Sequence, residues 1–150
     1  MPVNHARSLA EIKRCFPIMA QLRPHLTEPE FIERVTHQSE QYGYHLVYLE
    51  EAGQVMAVAG FIIREMLPLG RFLYVDDIVT DAAERSKGYG QTLFDWLTNY
   101  ARSNDCAHLH LDSRLDRKDA HRFYLRQGMT ISGYHFALKL DDESSGTISG

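Results

Sequence analysis

Cysteine is scarce in this chain. Of 150 residues only Cys15 and Cys106 are cysteines, and they lack CxxC spacing. A disulfide framework is thereby excluded, and two reduced thiols in a reducing compartment are expected. An excess of basic residues is also missing: 16 Lys and Arg stand against 20 Asp and Glu, for a net charge of -4. Phosphate-backbone binding needs a basic surface, so nucleic acid is not expected as the main partner. No apolar run approaches the roughly 20 residues of a membrane span. The stretch Met1-Pro2-Val3-Asn4-His5-Ala6-Arg7 also lacks the apolar core of a secretory signal. The expectation is a soluble, cytoplasmic protein with no membrane partner. Both G-x-x-x-x-G-K-[ST] and G-x-G-x-x-G are absent, which excludes the common nucleotide-binding loops.

What is present suits one ordinary globular domain. The chain is 44% apolar and 24% charged, within the usual range. At this size about 68–70% of the unfolded surface is buried on folding, so no metal or disulfide staple is required. Residues 8–42 read as helical, with Leu9, Ile12, Phe16 and Met19 on one face and Pro17 set to kink or restart the helix. Thr27 with Glu30 reads as a capping box for a second helix. From Tyr44 the period changes to that of strands: His45–Glu50, the two-sidedly apolar Val55–Ile63, and Arg71–Thr80. A helix with the stripe Tyr89, Leu93, Trp96, Leu97 and Tyr100 follows, then a strand at Ala107–Asp112 and a short helix near Asp116–Gln127. A last strand is expected at Thr130–Leu140, and Asp141–Gly150 reads as a disordered acidic and Ser/Gly-rich tail. The order α-α-β-β-β-α-β-α-β implies an α/β fold, one domain over 1–140, with helices on both faces of a mixed sheet.

Chemistry concentrates between Asp76 and Gln91. The segment Arg85-Ser86-Lys87-Gly88-Tyr89-Gly90-Gln91 joins a strand to an amphipathic helix. Unpaired N–H groups and the dipole at a helix start attract anions. Gly88 and Gly90 let backbone approach a ligand closely, and Arg85 and Lys87 add charge. The expected ligand group is a phosphate or pyrophosphate.

Arg85-Ser86-Lys87-Gly88-Tyr89-Gly90 resembles the [QR]-x-x-G-x-[GA] motif of the GNAT superfamily of N-acetyltransferases. Asp119-Ala120-His121-Arg122-Phe123-Tyr124-Leu125-Arg126-Gln127-Gly128-Met129 resembles that family's A-x-x-F-Y-x-x-x-G-F element, with Met129 in the place of Phe. The resemblance spans roughly residues 45–140 and is that of a small stand-alone bacterial-type member. It implies a mostly antiparallel sheet whose strands splay at an acyl-CoA site. The pyrophosphate of coenzyme A would sit on Arg85–Gln91, and backbone N–H groups of Ile78-Val79-Thr80 would polarise the acyl carbonyl. Acetyl-CoA would serve as co-substrate, with no metal. Where many members carry Asn before the second motif, this chain has Arg117, which could reach the nucleotide end of the ligand or face solvent.

Acyl transfer to an amine also needs a base and an acid. Tyr124, whose phenol has an ordinary pKa of about 10 against about 8.5 for a thiol, suits protonation of the leaving thiolate. Its alternative role is that of a core aromatic. Strict alternation along Arg71–Thr80 puts Asp76 with Tyr74, Ile78 and Thr80, and Asp77 with Leu73, Val75 and Val79. One of the two acids then lies on an otherwise apolar face, where a carboxylate must be paired or functional. Asp76 is assigned as the general base for the amine and Asp77 as the residue that orders the site or binds the amine; a purely structural carboxylate at Asp77 is the alternative.

The remaining signals are weaker. His108-x-His110 with Asp112 lines one strand face, but two imidazoles and one carboxylate make a poor metal site. Cys15 and Cys106 have no neighbouring base motif, so direct attack is expected rather than a covalent enzyme intermediate. The leading reading is an N-acetyltransferase acting on an amine of a small molecule or peptide. The other is a non-catalytic acyl-CoA-binding sensor or interaction module, which would need neither Tyr124 nor the acidic pair. The acceptor stays unidentified, and a homodimer stays open.

Overall fold

The computed structural model describes residues 2–141; the expected tail, apart from Asp141, lies outside them. The chain divides into two compact units, Met1–His110 and Leu111–Gly150. The first begins with a strand too short to stand out in the sequence, β1 (Val3–His5), followed by α1 (Leu9–Leu22) and α2 (Glu28–Tyr42). A meander of β2 (His45–Glu51), β3 (Gln54–Met66) and β4 (Gly70–Thr80) comes next. A single 3-10 turn at Ala82–Glu84 leads to α3 (Tyr89–Ser103), and β5 (His108–Leu111) closes a five-stranded sheet of order β1-β2-β3-β4-β5. The second unit carries α4 (Lys118–Arg126).

Local chemistry accounts for most of these boundaries. Thr27 and Glu30 form the expected reciprocal cap, and Ser8 with Glu11 does the same for α1. Pro17 lies inside α1 without ending it. The β2–β3 turn places Ala52 at φ 52° and Gly53 at φ 77°, two successive left-handed residues that match the twist of a tight hairpin.

Helices α1 and α2 cover one face of the sheet. Ile12, Cys15, Ile18 and Met19 of α1 and Phe31 and Val35 of α2 meet Leu46, Tyr48, Val58 and Val79 in one core. On the other face Phe61 packs edge-on to Tyr100 at 5.2 Å, while Trp96 stacks on Tyr100 at 4.9 Å. Cys15 is fully buried, and burial pushes its thiol up to about 12. Both thiols are free.

Strands β1 to β4 pair antiparallel. Crossover through α3 returns the chain to the start of β4, where the Ala107 N–H donates to Arg71 O at 3.0 Å just before β5. The sheet is therefore mixed. The four residues of β5 stand beside the beginning of an eleven-residue β4 and run out well before Ile78–Thr80. The expected strand at Thr130–Leu140 does not form: residues 129–141 carry no secondary structure. Its apolar alternation is real, but among the described residues no strand is hydrogen-bonded to it to supply a ladder.

One irregularity shapes the site. In the β3–β4 ladder Gly60 faces Asp77 and Phe61 faces Val75, so Asp76 has no partner and forms a bulge. A Cβ on Gly60 would lie 1.6 Å from Tyr44 Oη. The hydroxyl of Tyr44 thus occupies the space a side chain at 60 would need. Gly60→Ala should cost about 1–3 kcal/mol through overpacking, read as a lower urea midpoint at unchanged m-value.

Candidate active site

The bulge at Asp76 changes which way the acids point. Before it, Tyr74 pairs with Ile62, which packs against the α1–α2 core; after it, Val79 pairs with Val58 in that same core. Asp76 lies two residues after Tyr74 and Asp77 two before Val79, so both carboxylates fall on the α1–α2 side. Strict alternation put them on opposite faces; the extra residue overturns that, and with it the need for one acid to enter the other face.

Asp77 is held from two sides. Arg23, just past the end of α1, donates from Nε to Asp77 Oδ1 at 3.0 Å and from Nη2 to the backbone O of Asp76 at 3.0 Å. Tyr44 Oη donates to Asp77 Oδ2 at 2.8 Å. The side chains of the Arg23–Asp77 ion pair are only 11% and 17% exposed, so solvent screens it weakly. Burial, and then the charge of Asp77, raise the Tyr44 phenol well above its ordinary value, which keeps it protonated as a donor.

Asp76 has the complementary environment. Burial, and secondarily repulsion from Asp77, push its carboxyl up to about 6, against opposing pulls from Arg64 and Arg23. Two adjacent carboxylates are thus differentiated: one is locked by donors, the other is left with raised basicity. That separation is the pattern expected of a general base beside an ordering residue.

Past β4 comes the segment Arg85–Gln91, where an anion is expected to bind. Arg85 is exposed, and Ser86 and Gly88 adopt φ values of 68° and 86°. Gly88 is the N-cap of α3, no side chain caps that helix, and a Cβ built on Gly88 meets nothing within 4 Å. Uncapped N–H groups with open space before them and a cation alongside fit a pyrophosphate. Lys87 is engaged by Glu84. Tyr89 is buried and donates to Glu51, which raises its phenol to about 12; it anchors the loop from below. Gln91 bonds Asp95 within α3, and a Cβ on Gly90 would stand 3.2 Å from Thr80 Oγ1. Gln21 of α1 reaches the same region, donating to Asp81 at 3.2 Å and accepting from the Ala82 N–H at 2.8 Å.

The residues Ile78, Val79 and Thr80 pair with Ala59, Val58 and Ala57 of β3. On their other side β5 has already run out, so among the described residues no strand pairs with that edge of β4. In the second unit Tyr124 is buried and packs edge-on against Phe123 at 5.7 Å. Burial raises its phenol, with Arg117 opposing, so it stays protonated at neutral pH. Arg117 is the N-cap residue of α4. His110 packs edge-on against Phe72 at 5.3 Å. Among the described residues no group of three or more His, Cys, Asp and Glu could hold a metal, and no helix is long and apolar enough to cross a membrane.

The first unit therefore assembles Asp76 and Asp77 with Arg23 and Tyr44, on the strand that leads into the loop. Sequence reading missed Arg23, Tyr44 and Gly60 as parts of the site. An isolated glycine inside a strand is a bulge signal, so Gly60 was the available clue; the reach of Arg23 and Tyr44 across 54 and 33 residues was not.

Comparison with known proteins identifies the family. The profile of the acetyltransferase (GNAT) family matches residues 7–129. This chain belongs to that family. It is 37% identical over 130 residues to an uncharacterized N-acetyltransferase, YhdJ, of Bacillus subtilis (strain 168), covering 86% of this chain and 92% of that protein. It is 34% identical over 106 residues to glucosamine 6-phosphate N-acetyltransferase 1 of Oryza sativa subsp. japonica, covering 65% and 64%. In fold it is similar to a transcriptional regulator of Bacillus halodurans C-125, with a TM-score of 0.82 at 15% identity, over 93% of this chain and 99% of the other. The α/β fold with a five-stranded mixed sheet and flanking helices is that of the family.

The Asp76 environment has a stability consequence. Its carboxyl has an ordinary pKa of 3.8 and one of about 6 in the fold. Between those values the folded chain holds a proton that the unfolded chain has released, so stability falls as pH rises. Above about pH 6 the full cost of the buried charge is in place. Asp76→Asn should therefore raise the thermal midpoint relative to wild type at pH 8 and change it little at pH 4. Equal shifts at the two pH values would show that Asp76 is not the group burdened by burial.

Proposed function

We propose that the chain is an N-acetyltransferase that moves the acetyl group of acetyl-CoA to an amine by direct attack. The observation that carries this reading is the asymmetry of the acidic pair. A purely binding module has no use for a carboxyl whose basicity is raised beside one that is locked, so this asymmetry favours an enzyme over an acyl-CoA sensor.

Each residue has a role in that chemistry. The α3 N-terminus, Arg85 and the backbone at Ser86, Lys87, Gly88, Tyr89, Gly90 and Gln91 hold the pyrophosphate, with Arg117 toward the nucleotide end. Acetyl-CoA supplies the acyl group as an activated thioester. Backbone N–H groups of Ile78–Thr80 on the open edge of β4 receive the charge that develops on the carbonyl oxygen. Asp76 takes the ammonium proton, directly or through a water. A base of pKa about 6 is ionised at neutral pH while keeping useful basicity. Asp77, fixed by Arg23 and Tyr44, supplies negative charge that attracts the cationic acceptor. Tyr124 gives its proton to the departing sulfur. With Cys15 buried and its thiol raised to about 12, that cysteine cannot serve as an acyl carrier.

The acceptor is an amine of a small molecule or peptide. The name of the plant relative places an amino-sugar phosphate in a test panel beside polyamines, amino acids and peptide N-termini. Thiol release from acetyl-CoA with that panel tests the activity, and kcat/KM should rise with pH through about 6 as Asp76 ionises. Asp76→Asn should remove that rise and lower kcat/KM by about 10²–10⁴-fold. A profile left intact in Asp76→Asn would assign the base elsewhere.

Tyr124→Phe keeps the ring but removes the proton. The thermal shift given by CoA should survive, while kcat falls on the order of 10²-fold. The deficit should shrink with an acyl donor whose thiol leaves more readily. Turnover within about twofold of wild type would make Tyr124 a packing residue only.

A further inference from the structure

The sheet face that carries the two acids continues past Ile62 to a cation. Ile62 packs against the α1–α2 core, while Arg64, two residues further along β3, is exposed. Ile62 pairs with Tyr74 and Arg64 with Phe72, and directly paired residues share a face. Asp76 comes two residues after Tyr74. Phe72, Tyr74 and Asp76 therefore form one row on β4, with Arg64 beside the first two of them.

Two rings fix where that cation stands. The guanidinium carbon lies 5.9 Å from the Phe72 ring centroid and 6.0 Å from that of Tyr74, within reach of cation–π attraction. Phe72 is 2% exposed and His110 packs edge-on against it, so the platform is itself held in place. Among the described residues Arg64 enters no ion pair. Asp77 is already taken by Arg23 and Tyr44. Asp76 is near enough for Arg64 to oppose the rise of its pKa, yet the two do not pair. Many exposed arginines are simply solvated. This one is stacked on two rings in the row of the proposed base.

Contact with ring faces leaves the in-plane N–H fork of a guanidinium available to a ligand. That fork matches the two oxygens of a carboxylate or a phosphate. In the proposed reaction the base on the same row takes a proton from an amine. One step of two strand residues is roughly 7 Å, a distance that one small molecule spans. A polyamine would instead bring further positive charge toward Arg64.

We infer that Arg64 selects the acceptor by binding an anionic group, carboxylate or phosphate, on the same small molecule whose amine faces Asp76. This rests on the proposed acetyl transfer and narrows its acceptor to amines that carry an anion. Binding also acts on the base. An anion on Arg64 cancels the pull of that cation on Asp76, so the carboxyl gains basicity once the acceptor is in place.

Matched amines that differ only in the anion test this on the full chain with CoA present. The pairs are O-phosphoethanolamine against ethanolamine, and alanine against alaninamide. Titration calorimetry should show the anionic member of at least one pair binding about 10- to 100-fold more tightly. The pair that does so distinguishes phosphate from carboxylate. Arg64→Met keeps an apolar stem on the rings and should bring that ratio to about one, with the loss of kcat/KM lying in KM rather than kcat. Arg64→Lys should recover part of the preference, because it returns the charge without the fork. Equal or undetectable binding within both pairs overturns the inference, whichever amines are acetylated. A preference that survives in a folded Arg64→Met protein, checked by circular dichroism, overturns it too. The same preference without any acetyl transfer would remove the proposed activity and leave Arg64 as an anion site, so the two failures are distinct.

Discussion

A carboxylate on the helix-covered face of a sheet must be surrounded by donors, and Asp77 meets that demand in a way that organises its whole neighbourhood. Arg23 and Tyr44 each commit a donor to it, and Tyr44 can do so only because the backbone at position 60 lacks a side chain. The glycine, the phenol, the guanidinium and the bulge form one solution. Removing any member leaves a buried polar group without its partner, which is the expensive side of a hydrogen bond. The raised basicity of Asp76 comes first from its burial and second from the neighbouring Asp77.

Seen electrostatically, the site is a short gradient along one strand. The two carboxylates lie in its middle, the open edge of Ile78–Thr80 follows, and the N-terminus of α3 with Arg85 lies beyond. In the proposed reaction a cationic amine would be drawn to the first part and an anionic phosphate to the last. A ligand carrying a thioester ahead of a pyrophosphate would span the interval. The groups are set before any ligand arrives, so reorganisation during reaction is small, which is where preorganised sites gain most of their effect.

Much of this was legible in the residues. The anion loop rests on glycines and cations in local order, and the reciprocal cap at Thr27 and Glu30 on a three-residue spacing; local patterns of this kind read directly. Periodicity gave α1 through β5 and failed at three places, each for a different reason. Strand β1 is three residues long, too short for a period to show. The bulge inserts one residue into β4 and reverses the facing of everything after it, which alternation alone does not detect. At Thr130–Leu140 the pattern is that of a strand, but a strand also requires a neighbour, and no property of the segment itself supplies one. Arg23 and Tyr44 were invisible because their partner lies far along the chain.

The end of α1 couples two parts of the site mechanically. Gln21 grips Asp81 and Ala82 ahead of the Arg85–Gln91 segment, and Arg23, two residues on, grips the Asp77 carboxylate and the Asp76 backbone carbonyl. The end of α1 therefore bridges the segment proposed to hold the donor and the acids proposed to receive the acceptor. Mechanical slack introduced there by heat, by a loosened neighbour or by drift in sequence cannot be confined to one function. On the proposed function, donor affinity and turnover would deteriorate together.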